Sequence, residues 1–329
     1  METKVKTFIE VCAGAGGLSK GFMDNGFVPL LLNDFDKHCC ATLLENHPEA
    51  NVFKGSMTDI DLSGYKEMDV DVLMGGVPCQ SFSQAGKRDG IEDERGQLML
   101  SFIKMVAEIE PKVFLIENVK GLKTHNGGDT LKFILEELNN IGLYNIQHSV
   151  LNANDHGVPQ NRERLIIVGT RLDLDKEFEY PPVQDVKPVL KDVLTDCPAS
   201  NGAVYNETKC ELFDKIPQGG CWVNLPEDLQ KSYLGNSYAS GGGKRGILKR
   251  LDMEKPSLTL LTTPSQKQTE RCHPIETRPL QTLEYARIQT FPDDYIFTGS
   301  TNQIYKQIGN AVPVNLASAI AKQVNNVLL

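Results

Sequence analysis

The chain has 329 residues, about 40% of them apolar and 23% charged, with a formal net charge of −9. That is enough for a domain of ordinary size plus a smaller one, and the balance excludes a mainly disordered chain. No apolar run approaches the ~18 residues of a membrane span, and Met1 to Thr7 lacks the apolar core of a secretion signal, so a cytoplasmic protein with no membrane partner is expected. The acidic balance argues against nucleic acid only if read globally, because an electrostatic footprint is local.

Lys6 to Val11 is a short apolar run ending in Cys12-Ala13-Gly14-Ala15-Gly16-Gly17-Leu18, with a helical pattern from Ser19 to Asn25: strand, glycine turn, helix. Val28 to Leu32 forms a second strand ending in Asn33-Asp34-Phe35-Asp36. Asp34 stands about 20 residues beyond the turn, where a Rossmann-type acid meets ribose hydroxyls, so an adenosine-containing cofactor is expected, with Phe35 against the adenine. Asn51 to Lys54 is a third strand, followed by Gly55-Ser56-Met57. Val70 to Met74 is a fourth, running straight into Gly75-Gly76-Val77-Pro78-Cys79-Gln80. A thiol stiffened by Pro78 at the carboxyl edge of an α/β sheet is placed to attack a ligand.

The polar stretch from Gln80 to Gly96, with Gly86, Lys87, Arg88 and Arg95, has the composition of a lid. A helix over Leu98 to Ile109, a strand over Lys112 to Ile116 leading to Glu117-Asn118, a helix over Thr130 to Ile141, and strands over Gln147 to Leu151 and Arg164 to Gly169 complete the alternation. The pattern predicts an α/β fold with a doubly wound, mostly parallel, Rossmann-like sheet. After Thr170, prolines replace the periodic runs. Domains are therefore expected at 1–185, completed by 304–329, and at 186–303, the latter a smaller irregular or strand-rich lobe.

Between residues 241 and 280, Lys and Arg outnumber Asp and Glu, which reads as a surface for phosphates: Lys244, Arg245, Lys249 and Arg250 are candidate phosphate contacts, and Gln266, Lys267, Gln268 and Thr269 candidate base contacts. The cysteines, Cys12, Cys39, Cys40, Cys79, Cys197, Cys210, Cys221 and Cys272, show neither C-x-x-C pairs nor zinc-finger spacing. No metal is expected. Reduced thiols, one of them reactive, are.

Taken together, Phe8-Ile9-Glu10-Val11-Cys12-Ala13-Gly14-Ala15-Gly16-Gly17, Gly76-Val77-Pro78-Cys79-Gln80, Glu117-Asn118-Val119, Gln160-Asn161-Arg162-Glu163-Arg164, Arg278 through Phe291-Pro292-Asp293, and Gly309-Asn310-Ala311-Val312-Pro313 resemble, in order, the motifs of the cytosine-C5 DNA methyltransferases of bacterial restriction-modification systems. The resemblance implies S-adenosylmethionine as cofactor, S-adenosylhomocysteine as product, and double-stranded DNA as substrate. It also implies a nucleoid-associated monomer and a cognate restriction endonuclease acting on the same site.

It assigns Cys79, Glu117, Arg162 and Arg164 to catalysis. Cys12, Ala13, Gly14, Gly16, Gly17, Leu18, Asp34, Phe35, Ser56, Met57, Pro78, Leu98, Asn310 and Ala311 line the cofactor, and Gln80, Arg95, Lys244, Arg245, Gln266, Lys267 and Gln268 meet DNA. Two positions depart from the family pattern: Cys12 replaces a usual aromatic, and Ser56 a usual Asp that binds adenine.

The chemistry agrees. A thiolate adding to C6 turns C5 of cytosine into an enamine carbon, Glu117 serves N3, and Arg162 and Arg164, alternating along an extended segment, point to one side. The cytosine must leave the stack, and DNA is expected to lie between the lobes. The alternative within the same chemistry, a tRNA cytosine methyltransferase, lacks its Cys-Phe-Thr signature here.

Overall fold

The computed structural model describes residues 5–78, 94–239, 246–266 and 269–329, side chains at 94–96 excepted. The chain divides into two compact units. The first comprises Met1–His156, Glu163–Gln184 and Val312–Leu329, and the second Gly157–Arg162 and Asp185–Ala311. Residues 304–311 thus belong with the second unit, and the chain re-enters the first at Val312.

The first unit runs β1 (Lys6–Val11), α1 (Gly17–Met23), β2 (Phe27–Asp34), α2 (Lys37–Asn46), β3 (Val52–Lys54), β4 (Val72–Gly75), α3 (Glu94–Ile109), β5 (Val113–Val119), α4 (Asp129–Asn139) and β6 (Tyr144–Asn152). After β7 (Gln160–Asn161), which belongs to the second unit, comes β8 (Glu163–Arg171). These strands make a seven-stranded sheet in the order β3-β2-β1-β4-β5-β8-β6, parallel except that β8 runs antiparallel to both neighbours.

The order reverses between β1 and β4, and the crevice beyond the carboxyl ends of such a pair is where open α/β sheets bind ligands. The glycine turn follows β1 and the Pro78 segment follows β4, so the topology gathers both there. Strands that are apolar on both faces, such as Val72 to Met74 and Val113 to Ile116, are buried because helices cover the sheet. The apolar side of α3, through Met99, Phe102, Ile103 and Val106, fills one layer of that core. Gly169 pairs with Phe114 across β5 and β8, and a Cβ there would overlap the Phe114 ring.

The second unit holds α5 (Lys191–Leu194), α6 (Glu207–Phe213), α7 (Glu227–Leu234), β9 (Ser257–Leu258), α8 (Thr282–Ile288) and α9 (Thr301–Asn310), with β7 and β9 paired in parallel. Its own core includes Tyr205, Phe213, Ile216, Leu234, Ile247, Leu248 and Cys272. The final helix, α10 (Val314–Val327), packs on α1 in the first unit. Gly21 of α1 lets it approach Ala317, and Lys6 Nζ donates to Asn325 Oδ1 at 2.7 Å. Among the described residues no helix is long and apolar enough to cross a membrane.

Candidate active site

The sheet edge at β4, β5 and β8 assembles one charged pair beside the segment that leads to Cys79. Glu117 and Arg164 stand on neighbouring antiparallel strands, and Arg164 Nε donates to Glu117 Oε1 at 2.8 Å with both side chains largely buried. The other carboxylate oxygen, Oε2, lies 3.5 Å from where a Cβ on Gly76 would stand, in the backbone just ahead of Cys79. The next residue, Asn118, is equally engaged: its Nδ2 donates to the Val77 carbonyl at 2.8 Å and its Oδ1 accepts from Val119 N. Thus the end of β5 both presents a carboxyl and ties down the Gly76-Val77-Pro78 backbone, leaving Pro78 exposed. Further out, Lys120 pairs with Glu163 at 2.8 Å on the exposed surface.

At the end of β1 the glycine turn closes on β2. Gly14 N donates to Asp34 Oδ2 at 2.8 Å, and Asp36 N to Asp34 Oδ1 at 2.8 Å. These bonds fix the Asp34 carboxylate beside the glycine turn. Gly14 and Gly16 sit at φ +57° and +81°, and a Cβ at Gly14 would meet nothing within 4 Å, so the turn faces open space. Phe35 is 80% exposed, a large apolar ring left at a strand end beside that turn.

Ala13, Gly16, Gly17 and Leu18 are buried behind the turn. Met57 is buried in the sheet core, and Leu98 packs against the same core. Ser56 turns its hydroxyl onto Thr58, accepting from Thr58 N at 3.3 Å. Cys12 holds φ +52°, a left-handed conformation uncommon outside glycine, and burial pushes its thiol up to about 12.

Beneath the turn, Glu10 is buried and accepts a hydrogen bond from the Ser19 hydroxyl. Burial pushes its carboxyl up to about 8, against the opposing effect of the Ser19 bond. Between the ordinary value of 4.5 and about 8, the folded chain keeps a proton that the unfolded chain has lost. Stability must therefore fall as pH rises through that window, with a slope of up to about 1.4 kcal/mol per pH unit. Glu10→Gln, which cannot ionise, is expected to melt above the wild type by a margin that widens from pH 5 to pH 8 in paired thermal scans. A margin independent of pH would show that Glu10 ionises as a surface acid does.

The two arginines of the Gln160 to Arg164 motif go different ways. Arg162 falls at the break between β7 and β8, in the second unit, and is 1% exposed. Its guanidinium donates to the carbonyls of Leu260 (3.2 Å), Gly309 (3.0 Å), Asn310 (3.4 Å) and Ala311 (3.0 Å). The expectation that Arg162 and Arg164 share one side fails because the segment is not a continuous strand. Gln160 joins the same cluster by donating to Gln289 at 2.8 Å, and Gln289 donates to Ile308 and Ala311 carbonyls. Asn310 is exposed at the end of α9, and Ala311 is buried behind it.

Two expected phosphate contacts are likewise corrected. Arg250 is buried and donates to the carbonyls of Ile216, Phe213, His273 and Glu276 and to the Thr277 hydroxyl. Lys249 is turned to the Gly219 carbonyl, and burial lowers its pKa. Gln266 is exposed, its Oε1 accepting from the Thr269 hydroxyl at 3.2 Å. Cys79, Gln80, Lys244, Arg245, Lys267 and Gln268, and the side chain of Arg95, lie outside the described residues.

Sequence reasoning left Asn118, Gln160 and Gln289 without roles. Asn118 had a signal, its place directly after a carboxyl at a strand end. The two glutamines had none, because their partners are distant in the chain. Among the described residues no group of acidic, His or Cys side chains is arranged to hold a metal ion.

A family model described as C-5 cytosine-specific DNA methylase matches residues 6–326. The chain is 49% identical over 333 residues to the Type II methyltransferase M.PspPI of Psychrobacter sp. (strain TA137), covering 98% of this chain and 79% of the relative. With the Type II methyltransferase M.Eco47II of Escherichia coli the identity is 48% over 340 residues, covering 99% and 81%. A prophage-encoded E. coli protein, described as a DNA modification methyltransferase, has a similar solved structure, with a TM-score of 0.73 at 26% identity over 98% of this chain and 99% of that one.

Proposed function

Since the chain belongs to the C-5 cytosine-specific DNA methylase family, we propose that it methylates C5 of a cytosine flipped out of a specific double-stranded DNA sequence, using S-adenosylmethionine and a covalent bond from Cys79 to C6. The observation that carries this reading is the Glu117–Arg164 pair beside Gly76, which puts a held carboxyl next to the backbone leading to the candidate nucleophile.

The residues at the first crevice fit the cofactor. A Cβ at Gly14 would meet nothing within 4 Å, the Asp34 carboxylate is held beside that turn where ribose hydroxyls would lie, and Phe35 offers an exposed face for adenine. When bound, S-adenosylmethionine supplies an electrophilic methyl group on its sulfonium.

The chain's own residues do the rest. Cys79 Sγ, as thiolate, forms a bond to C6 and pushes electron density through the ring toward C5 and N3. The density collects at N3, where Glu117 donates a hydrogen bond or proton, with Arg164 holding the carboxyl in place. C5, now nucleophilic, accepts the methyl group. Solvent water takes the C5 proton, the C5–H electrons form the C5=C6 bond, and Cys79 Sγ leaves as thiolate while N3 returns its proton to Glu117, restoring the aromatic ring. Arg162 is given a supporting task, holding the Gly309-Asn310-Ala311 backbone, with Asn310 and Ala311 as cofactor contacts. We assign sequence recognition to the second unit, to Gln266 together with Lys244, Arg245, Lys267 and Gln268. The enzyme acts as a cytoplasmic monomer, and a cognate restriction endonuclease acts on the same site without obligatory contact with it.

The test is transfer of a labelled methyl group from S-adenosylmethionine to duplex DNA, with bisulfite sequencing of the product. Label in C5 of cytosine within one recurring sequence supports the reading. Label in tRNA but not in DNA overturns it.

A further inference from the structure

The two ends of β5 treat their cations differently. At the amino end Lys112 pairs with Asp71 at 2.7 Å and Asp69 at 2.9 Å, and Arg171, whose N–H donates to the Lys112 carbonyl, pairs with Asp173 at 2.7 Å. Acids match them there. At the carboxyl end, just past Glu117, a 3₁₀ turn over Lys120–Lys123 carries two exposed lysines. Lys120 Nζ donates to both carboxylate oxygens of Glu163, at 2.8 and 2.9 Å, whereas Lys123 has no ion-pair partner among the described residues.

Local structure decides where these lysines stand. Side chains at i and i+3 of a 3₁₀ helix eclipse, so Lys120 and Lys123 share one face of the turn. Leu122, between them, is buried in the sheet core and anchors the turn. Asn118 Oδ1 accepts from Val119 N at 2.9 Å on the entering side, and Thr124 N donates to the Gly121 carbonyl at 3.2 Å on the leaving side. Two ammonium groups are thus held on one face with a single carboxylate between their charges and neutrality.

That carboxylate belongs to the catalytic corner. Glu163 directly precedes Arg164, which holds Glu117, and Arg164 is the register partner of Val119 across β5 and β8. The exposed Lys120–Glu163 pair therefore sits outside the buried Arg164–Glu117 pair. An exposed pair of this kind contributes little to stability and exchanges readily for another anion. A flipped nucleotide stays joined to its strand, so the phosphates flanking it must come to the edge where Glu117 meets the base. Lys249 and Arg250 of the second unit cannot serve there, being spent on backbone carbonyls.

We propose that Lys120 and Lys123 form a phosphate site on the first unit for the DNA strand that carries the target cytosine, and that Glu163 holds Lys120 in place until a phosphate displaces it. Phosphate contacts of this kind position the duplex without reading it. This rests on the proposed DNA methylation and adds to it a backbone contact separate from the residues assigned to sequence recognition.

The experiment measures affinity for two labelled duplexes of equal length, one containing the methylated sequence and one lacking it, over a range of salt concentrations. Lys120→Gln and Lys123→Gln change exposed side chains and are expected to melt with the wild type. Each should weaken binding to both duplexes by the same factor, roughly three- to tenfold, and flatten the slope of log affinity against log salt by about one. Glu163→Gln should act in the opposite direction and tighten binding to both, because Lys120 is then free for the phosphate. A purely structural pair would instead make Glu163→Gln and Lys120→Gln shift binding the same way.

An unchanged slope in the double lysine variant, a loss confined to the methylated sequence, or weaker binding by Glu163→Gln overturns the proposal. Any of these, found with a wild type that binds and methylates DNA, leaves the methylation reading intact. A wild type that binds neither duplex removes both.

Discussion

Cys79→Ser is expected to abolish methyl transfer while the fold and cofactor binding survive. The loss should be on the order of 10⁴- to 10⁶-fold, the scale on which removing a covalent nucleophile acts in other enzymes. A serine hydroxyl titrates far above a thiol and is a poorer nucleophile toward C6, so no addition precedes the methyl step. The fold is expected to survive because the backbone up to Pro78 is fixed by β4 and by Asn118, not by the thiol.

Other cysteines are poor substitutes. Burial pushes the thiols of Cys12 and Cys272 up to about 12 and those of Cys40 and Cys197 up to about 11, so they stay protonated at neutral pH. Labelled-methyl incorporation into DNA measures the loss. A second readout is trapping: DNA carrying 5-fluorocytosine should leave the wild type covalently attached, because fluorine cannot depart as the C5 proton does, and should leave the Ser variant free. Near-normal turnover by the variant would remove Cys79 from the reaction.

How much of this was legible in the sequence depends on how far apart the partners lie. The strands of the first unit were readable because Val72 to Met74 and Val113 to Ile116 are unbroken apolar runs meeting Gly or Glu-Asn at a carboxyl end. Spacing pointed to Asp34 as a ligand for ribose; the structure adds the bond by which Gly14 N holds it at the turn.

Arginines were the main misreading. Alternation put Arg162 and Arg164 together, yet the strand is interrupted at Arg162, between β7 and β8, and Arg162 turns to backbone carbonyls of the second unit. Arg250 and Lys249 looked like a phosphate surface for a related reason. The lobe has little strand pairing, so its buried carbonyls lack ladder partners, and long cationic side chains supply the donors. Net charge along a sequence cannot separate a guanidinium that satisfies carbonyls from one that waits for a phosphate.

Glu117→Gln separates the acid from its scaffold more cleanly than any truncation. The amide keeps the shape and retains an oxygen for Arg164 Nε, now 2.8 Å from the carboxylate, so the β5–β8 corner should hold. It can still donate a weak hydrogen bond to N3, but it cannot pass a proton there as the ring takes up charge from the thiolate. Turnover is therefore expected to fall by about 10²- to 10⁴-fold, the usual contribution of a positioned general acid.

The loss should appear in kcat, with cofactor affinity little changed, because the glycine turn and the Asp34 and Phe35 assigned to the ribose and adenine sit at the ends of β1 and β2, while Glu117 lies near the end of β5. Single-turnover methylation measures the chemical step, and cofactor titration in the absence of DNA measures binding. Covalent trapping on 5-fluorocytosine DNA should slow in parallel, since addition of Cys79 to C6 needs the same charge received at N3. If the variant instead loses cofactor binding and keeps its single-turnover rate, the carboxyl beside Gly76 shapes the cofactor crevice and leaves N3 to another donor.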